Sequence, residues 1–195
     1  MRRQSGAGTD WRRKAKRLIA AFPLLWFACL LCLSCLPSLA DDAGPSLEYQ
    51  VKAAFLLNFT KFIEWPPASF GNAGAPLSIC ILGEDPFGAT LDRIAGGEVV
   101  NGRSITIERV LHLPVPASCR VLFISRRAKE PRSPLDLGPG VLTVGEGEAF
   151  LREGGMIAFV IENRRVRFEI NRMIAENAGF RISSKLLNIA KAVEK

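Results

Sequence analysis

The stretch YQVKAAFLLNFTKFIEWP, residues 49–66, decides the fold. Pro66 and Pro67 end the helix that it predicts, because proline lacks a backbone donor and biases Trp65 away from the helical conformation. Three phenylalanines on one face require a large apolar partner, so the spacing favours a core helix docked on a sheet over a cofactor-binding helix. The predicted buried stripe consists of Val51, Ala54, Phe55, Phe59, Phe62 and Ile63.

The chain begins with the composition of an export signal. A basic head precedes an apolar run from Leu18 to Leu36, and Pro37–Ala40 ends in the small residues that a signal peptidase reads. We therefore predict a cleavable signal peptide over residues 1–40 and a single α/β domain over residues 41–195. The basic head contains Arg2, Arg3, Arg12, Arg13, Lys14, Lys16 and Arg17.

Two alternatives to cleavage remain open. The run Leu18–Leu36 is long enough to stay in the bilayer as an anchor. Its cysteines, Cys29, Cys32 and Cys35, would also allow a lipoprotein, although the residues before Cys35 fit that signal poorly.

The basic character of the chain comes from the export signal. Removal of residues 1–40 takes away seven basic residues and Asp10, so that 26 Lys and Arg fall to 19 and 19 Asp and Glu fall to 18. The net charge drops from +7 to +1. A nearly neutral domain has no excess charge to neutralise phosphates, which argues against nucleic-acid binding.

Two of the five cysteines, Cys80 and Cys119, lie outside the export signal. An even pair in an oxidising compartment favours a disulfide. Each cysteine lies in or beside a predicted strand, and neighbouring strands bring their α-carbons within disulfide range. The alternative is two small buried residues that never meet.

Strands alternate with helices along the rest of the chain. Leu77–Leu82 predicts a buried strand, and Asp85 predicts the N-cap of a helix with Pro86 in its first position. Val99–Arg103 has the composition of a hairpin. The pattern predicts a compact three-layer α/β sandwich, with a mixed, mostly parallel sheet of about five strands flanked by helices. Further strands are predicted over 105–107, 120–125, 141–144, 156–161 and 166–170.

The last two predicted elements complete the domain. Val166, Phe168 and Ile170 alternate with charged residues, which predicts an antiparallel edge strand with one solvated face. A final helix is predicted from Ser183 or Ser184 through Val193.

No catalytic constellation is apparent in the sequence. His112 is the only histidine, and no cysteine or carboxylate stands at ligand spacing from it. Gly83–Gly88 lies at a strand-to-helix turn but lacks the spacing of a nucleotide-binding loop. We therefore predict no enzyme, no metal site and no cofactor.

Three sequence segments resemble the YfiR family of exported bacterial proteins. They are the helix Val51–Pro66, the turn Ile81–Gly88 and the closing pattern in Arg167–Asn171 and Ala178–Leu187. The resemblance extends from about Gln50 to Val193, and the order and spacing of these segments make it specific.

The resemblance implies a periplasmic repressor, often dimeric. Such proteins bind the periplasmic sensor domain of an inner-membrane diguanylate cyclase and lower cyclic-di-GMP, which limits biofilm formation. Cys80 and Cys119 match a disulfide known from the family; a redox switch that requires a second pair is in doubt here. The expected partner is thus a membrane-bound diguanylate cyclase, and we expect a homodimer whose only contact with the membrane is through that partner.

Related domains also serve as input modules of sensor kinases. The alternative function is therefore a periplasmic sensor of a small molecule or of redox state, acting on a membrane histidine kinase. Under either function, the residues expected to contact a partner or ligand lie at the Trp65 loop and the turn after the first buried strand: Trp65, Glu84, Asp85 and Phe87.

Overall fold

The computed structural model describes residues 46–72, 74–128, 137 and 140–194. The predicted signal peptide, its two alternatives and most of the charged segment 126–139 lie outside these residues. The helices are α1 (Leu47–Phe62), α2 (Ala89–Ala95), α3 (Ala149–Arg152), α4 (Arg172–Asn177) and α5 (Ser184–Ile189). The strands are β1 (Ile63–Glu64), β2 (Leu77–Leu82), β3 (Val99–Val100), β4 (Arg103–Val110), β5 (Cys119–Ile124), β6 (Leu142–Glu146), β7 (Ile157–Glu162), β8 (Arg165–Asn171), β9 (Arg181–Ile182) and β10 (Ala192–Glu194).

Eight of these strands form one sheet, in the order β10-β8-β7-β6-β5-β2-β4-β3. The five central strands from β7 to β4 are parallel, whereas β8 runs antiparallel to β7 and β3 runs antiparallel to β4. Strand β10 pairs parallel with β8. The α/β class and the mixed, mostly parallel sheet are thus confirmed, and the strand number is corrected from about five to eight. The short strand β3 pairs with β4 through the predicted hairpin. The short strand β10 has too few residues for a periodic pattern and pairs because the edge of β8 is available.

Alternate residues of the strands enter two apolar clusters, one on each face of the sheet. Ile79 and Ile81 of β2 face α1 and α2, whereas Cys80 and Leu82 face α3 and the loops that follow β4 and β5. The first cluster is rich in aromatic rings, since Phe59 of α1 packs 5.8 Å from Phe159 and 5.2 Å from Phe168, measured between ring centroids. It buries fully Phe59, Phe87, Phe123, Phe159, Phe168 and Phe180.

Helix α1 is confirmed, but the predicted stripe is only partly correct: Phe59 and Ile63 are buried, and the others are not. Val51 and Ala54 are exposed, and Phe55 and Phe62 are only half-buried. Apolar residues occupy most of the circumference of this helix, so periodicity alone does not select the buried face. The face turned toward the core consists of Lys52, Ala53, Leu56, Leu57, Phe59 and Thr60.

The end of α1 also differs from the prediction. The helix stops at Phe62, before the Trp-Pro pair, because Ile63 and Glu64 leave it as strand β1. Their partners in β9 are Ile182 and Arg181, more than a hundred residues later in the chain. Strand pairing across that distance has no local signal.

Two further elements require correction. Helix α2 begins at Ala89 rather than Pro86, and the Asp85 carboxylate instead accepts hydrogen bonds from the N–H groups of Phe87 (2.7 Å) and Gly88 (3.3 Å). Helix α5 ends at Ile189, and Val193 lies in β10, paired with Ile170 of β8. Strand β8 is consequently not an edge strand.

Candidate functional site

The carboxyl ends of the parallel strands bring several charged groups to one edge of the sheet. The connection after β2 leads to β4 on one side, whereas β5 and β6 are added on the other side, so the order in which strands join the sheet reverses between β2 and β5. In doubly wound α/β folds, ligands bind outside the carboxyl ends of strands at such a switch point. We call this edge, with Glu84, Asp85, Arg109 and Glu146, the charged edge.

A buried ion pair is the central feature of the charged edge. Lys52 of α1 and Glu146 at the end of β6 are 1% and 5% exposed, and Lys52 Nζ contacts an oxygen of Glu146 and one of Glu48. The ammonium also lies 4.4 Å from the ring centroid of Tyr49, whose hydroxyl donates to Glu146 Oε1 at 3.2 Å. Arg126 approaches the other oxygen at 3.9 Å. The buried carboxylate is thus surrounded by donors and positive charge.

Sequence reasoning missed Lys52. A lysine within an apolar helix is usually solvated, so the predicted buried stripe omits it. The i,i+4 spacing of Glu48 and Lys52 is the only local signal. Glu146 stands ninety-four residues away, and only the docking of α1 on the sheet brings the two together.

Tyr49 allows the charged edge to be tested directly, because it is the only tyrosine in the chain. Burial, followed by the negative charge of Glu146, raises the pKa of Tyr49 above its ordinary value of 10.0. The folded state thus favours the protonated phenol, whose contribution to stability is complete below pH 10.0 and is lost as the pH rises through the folded-state pKa.

We therefore expect tyrosinate absorbance to appear at higher pH in the folded protein than in urea, and Glu146→Gln to reduce the difference. Urea unfolding should show declining stability over the same alkaline range. A folded-state pKa at or below that in urea would contradict the buried position of the phenol.

A second, exposed charge network surrounds Asp85. Arg109 of β4 contacts Asp85 through Nε at 2.8 Å and Asp92 of α2 through Nη1 at 3.0 Å. The hydrogen bond from Arg109 holds the pKa of Asp92 below its ordinary value, and the same bond raises the pKa of the guanidinium. Asp85 therefore ties its own turn to β4 through Arg109, which also reaches α2. The Asp85 side chain is only 15% exposed.

Glu84 is the accessible residue of this turn. Its side chain is 61% exposed and forms an ion pair of 2.7 Å with Arg127, from the loop that follows β5. Such a pair contributes little to stability because both partners are solvated. It does place a carboxylate and a guanidinium together on the surface at the switch point.

The crevice at the switch point is filled by the chain itself. Gly83 has a φ of +86°, and a Cβ at that position would lie 2.9 Å from the Cα of Ala128. The backbone after β5 thus packs directly on Gly83, in the crevice where doubly wound folds bind their ligands.

Gly83→Ala should lower the free energy of unfolding by about 3 kcal/mol, from left-handed strain and from the clash with Ala128. Gly97→Ala is the matched control, because Gly97 also has a positive φ (+78°) but a Cβ at that position would meet nothing within 4 Å. The control should lose only about 1 kcal/mol in urea unfolding. Equal losses would show that the backbone of Ala128 does not constrain Gly83.

Of the predicted contact residues, Glu84 and Asp85 lie together at the charged edge, whereas Phe87 and Trp65 do not join them. Phe87 is fully buried, with its ring 4.8 Å from Phe123, so its assignment as a contact residue is corrected to a core residue. Trp65 lies at the opposite end of the sheet, where its indole N–H donates to the carbonyl of Arg120 at 3.2 Å. The four residues therefore do not form one surface.

The predicted pairing of Cys80 with Cys119 is present. The disulfide joins β2 to β5 with a Cα–Cα distance of 5.9 Å, and both residues are fully buried. Cys119 lies opposite Ser78 in the register, so the bond crosses the two strands diagonally. It fastens together the strands that flank the switch point.

Within the described residues, no group of three or more His, Cys, Asp or Glu is arranged to hold a metal ion. Over the same part of the chain, none of the helices has both the length and the apolar composition of a membrane span.

Two solved structures resemble the chain weakly. A conserved domain protein from Vibrio cholerae O1 biovar El Tor aligns over 75% of this chain with 9% identity and a TM-score of 0.42. The ABC domain from Streptococcus pneumoniae, solved in complex with L-Trp, aligns over 75% with 12% identity and a TM-score of 0.37. The chain spans 60% of the length of each, and we draw no conclusion from similarities at this level.

No curated protein matches the chain in sequence. The sequence profile of the YfiR/HmsC-like family matches residues 49–191, from Tyr49 in α1 to Lys191 immediately before β10. The protein therefore belongs to the YfiR/HmsC-like family.

Proposed function

We propose that this protein is an exported regulator that binds the periplasmic sensor domain of an inner-membrane diguanylate cyclase and holds the enzyme inactive. The observation that carries the proposal is family membership over residues 49–191, nearly the whole of the described fold. The basic, apolar leader with its small-residue ending supports export to the periplasm. The result would be lower cyclic-di-GMP and less biofilm.

Binding, rather than catalysis, is the activity that the charged edge supports. Its buried groups neutralise one another, as Lys52 does with Glu146. Its exposed groups are engaged in the same way, as Arg109 is with Asp85 and Asp92. Such pairs stiffen a surface and give it a charge pattern that a partner can read.

The mechanism that we propose is a shift between two states of the cyclase. The repressor acts only if it binds the inactive arrangement of the sensor domain more tightly than the active one. Glu84 and Arg127 are the candidate contacts, because both are well exposed on the turn that Asp85 and the Gly83–Ala128 packing hold in place. The expected homodimer remains a prediction.

Deletion of the gene should raise cyclic-di-GMP severalfold in cells that contain the partner cyclase, and should change nothing in cells that lack it. Cellular cyclic-di-GMP measured by mass spectrometry provides the readout. Complementation with the wild-type gene should restore the low level, whereas Glu84→Lys should restore it less well. Glu176→Lys, on the exposed face of α4, is the matched control.

An unchanged cyclic-di-GMP level after deletion, with the cyclase intact and active, would overturn the repressor function. Full complementation by Glu84→Lys would instead exclude only the proposed contact surface. The two results are distinguishable because the second leaves the effect of the deletion intact.

A further inference from the structure

A groove lies at the amino-terminal ends of β2 and β4, at the opposite end of these strands from the charged edge. The groove has a volume of about 300 Å³, at the small end of the range for small-molecule pockets. Its lining is mostly apolar and includes Trp65, Phe70 and Leu77, together with the guanidinium of Arg103. We call it the Trp65 groove.

Two arginines hold their guanidinium groups against the ring of Phe70. The guanidinium carbon of Arg103 lies 3.8 Å from the ring centroid, and that of Arg120 lies 5.3 Å from it. Arg103 Nη1 donates to the carbonyls of Asn72 and Ala75 at 2.9 and 2.7 Å. These bonds and the stacking on Phe70 fix the orientation of its remaining donors.

Arg120 is held in the same way, since its Nη1 donates to the carbonyls of Ala117 and Cys119 at 2.9 and 2.6 Å. Its Nε, however, is buried without an acceptor. A buried polar group of this kind is rare and calls for an explanation, because it loses its hydrogen bonds to water.

The positive charge of the two arginines is not neutralised by a carboxylate within the described residues. Neither guanidinium forms an ion pair there, although Glu64 also lines the groove. Burial, and then the charge of Arg103, lower the pKa of Arg120. A protein that holds two like charges near each other, beside a cavity and with donors to spare, has the features of an anion site.

We propose that the Trp65 groove binds a small organic acid, whose anionic group accepts hydrogen bonds from Arg103 and whose apolar body packs on Trp65 and Phe70. Arg120, which lies near the ring of Phe70 but does not line the groove, adds positive charge beside the site. The anionic group is a carboxylate or a phosphate, since planar guanidinium groups suit both. The aromatic rings favour a flat apolar body. This site does not depend on the proposed repressor function.

The test uses Trp65 as its reporter. The protein is purified as the cell produces it, with Trp11→Phe and Trp26→Phe, so that Trp65 is the only tryptophan whether or not the leader is removed. Benzoate and phenyl phosphate are titrated as the anionic probes, and benzamide serves as their neutral match. We expect at least one anion to change the emission of Trp65 saturably and to raise Tm, with benzamide binding at least about tenfold more weakly.

Two variants identify the arginines. Arg103→Gln should weaken binding of the anion about tenfold or more, because it removes a charged donor from the groove. Arg120→Gln should weaken binding less, because it removes only a nearby positive charge. Arg172→Gln, which breaks only an exposed pair on α4, should leave binding unchanged. If a variant proves too unstable to titrate, the preference of the wild-type protein for anions over benzamide decides the question.

Three results would overturn the proposal. They are the absence of a saturable response to either anion, equal binding of benzamide, and unchanged binding by an Arg103→Gln variant that keeps the Tm of the wild-type protein.

Discussion

Replacement of Lys52 by methionine is expected to lower the free energy of unfolding by about 3–5 kcal/mol, the largest effect of any single substitution considered for this chain. Lys52 is 1% exposed, and its ammonium neutralises the buried carboxylate of Glu146. Without it, the buried carboxylate of Glu146 keeps only the hydroxyl of Tyr49 and the more distant Arg126, and a buried charge that loses its close ionic partner is strongly disfavoured. Urea unfolding of the wild-type and variant proteins measures the loss.

The double variant Lys52→Met with Glu146→Leu separates the ion pair from simple packing. Because it leaves no unpaired charge, it should be clearly more stable than Lys52→Met alone. Glu48→Gln is the control, since Glu48 shares the same ammonium but is 42% exposed and should lose no more than about 0.5 kcal/mol. A loss below about 1 kcal/mol for Lys52→Met would contradict a buried ion pair.

Removal of the disulfide is the second large effect. The bond closes a loop with a sequence separation of 39 residues, and the chain-entropy account gives about 4 kcal/mol of stabilisation for a loop of this length. We expect Cys80→Ala with Cys119→Ala to lose about that amount in urea unfolding. The measurement is made on the protein purified from an oxidising compartment.

Both cysteines are fully buried, so alanine also removes packing atoms. The wild-type protein unfolded with and without a reductant is therefore the matched comparison, since it changes only the bond. Mass spectrometry under non-reducing conditions should detect a peptide that joins Cys80 to Cys119. Two free thiols, or identical stability in both conditions, would contradict the disulfide.

The features that sequence reasoning predicted correctly are mostly local. Strand β2 matches its predicted bounds, because Leu77–Leu82 is a short apolar run between turn residues. The hairpin of β3 and β4 follows from Asn101 and Gly102, which adopt φ values of 51° and 76°. In each case the residues that determine the conformation are neighbours in the chain.

The errors concern features that depend on distant partners. Ile63 leaves α1 because Ile182 pairs with it, and Val193 leaves the last helix because Ile170 does. Phe87, expected as a contact residue, is instead covered by Phe123 of β5, thirty-six residues later in the chain. The Trp65 groove likewise has no sequence signature, since Phe70, Arg103 and Arg120 come from three separate segments.

The helix predicted at residues 49–66 shows which properties the sequence determines and which depend on the tertiary structure. Its amino-acid sequence alone determines that it is helical, rich in aromatic residues and part of a family pattern, because these properties depend on spacing and residue type. Which side of it is buried was decided by the tertiary structure. Apolar residues lie around most of the helix, and the face that is buried also carries Lys52, because the docked sheet places the carboxylate of Glu146 beside it.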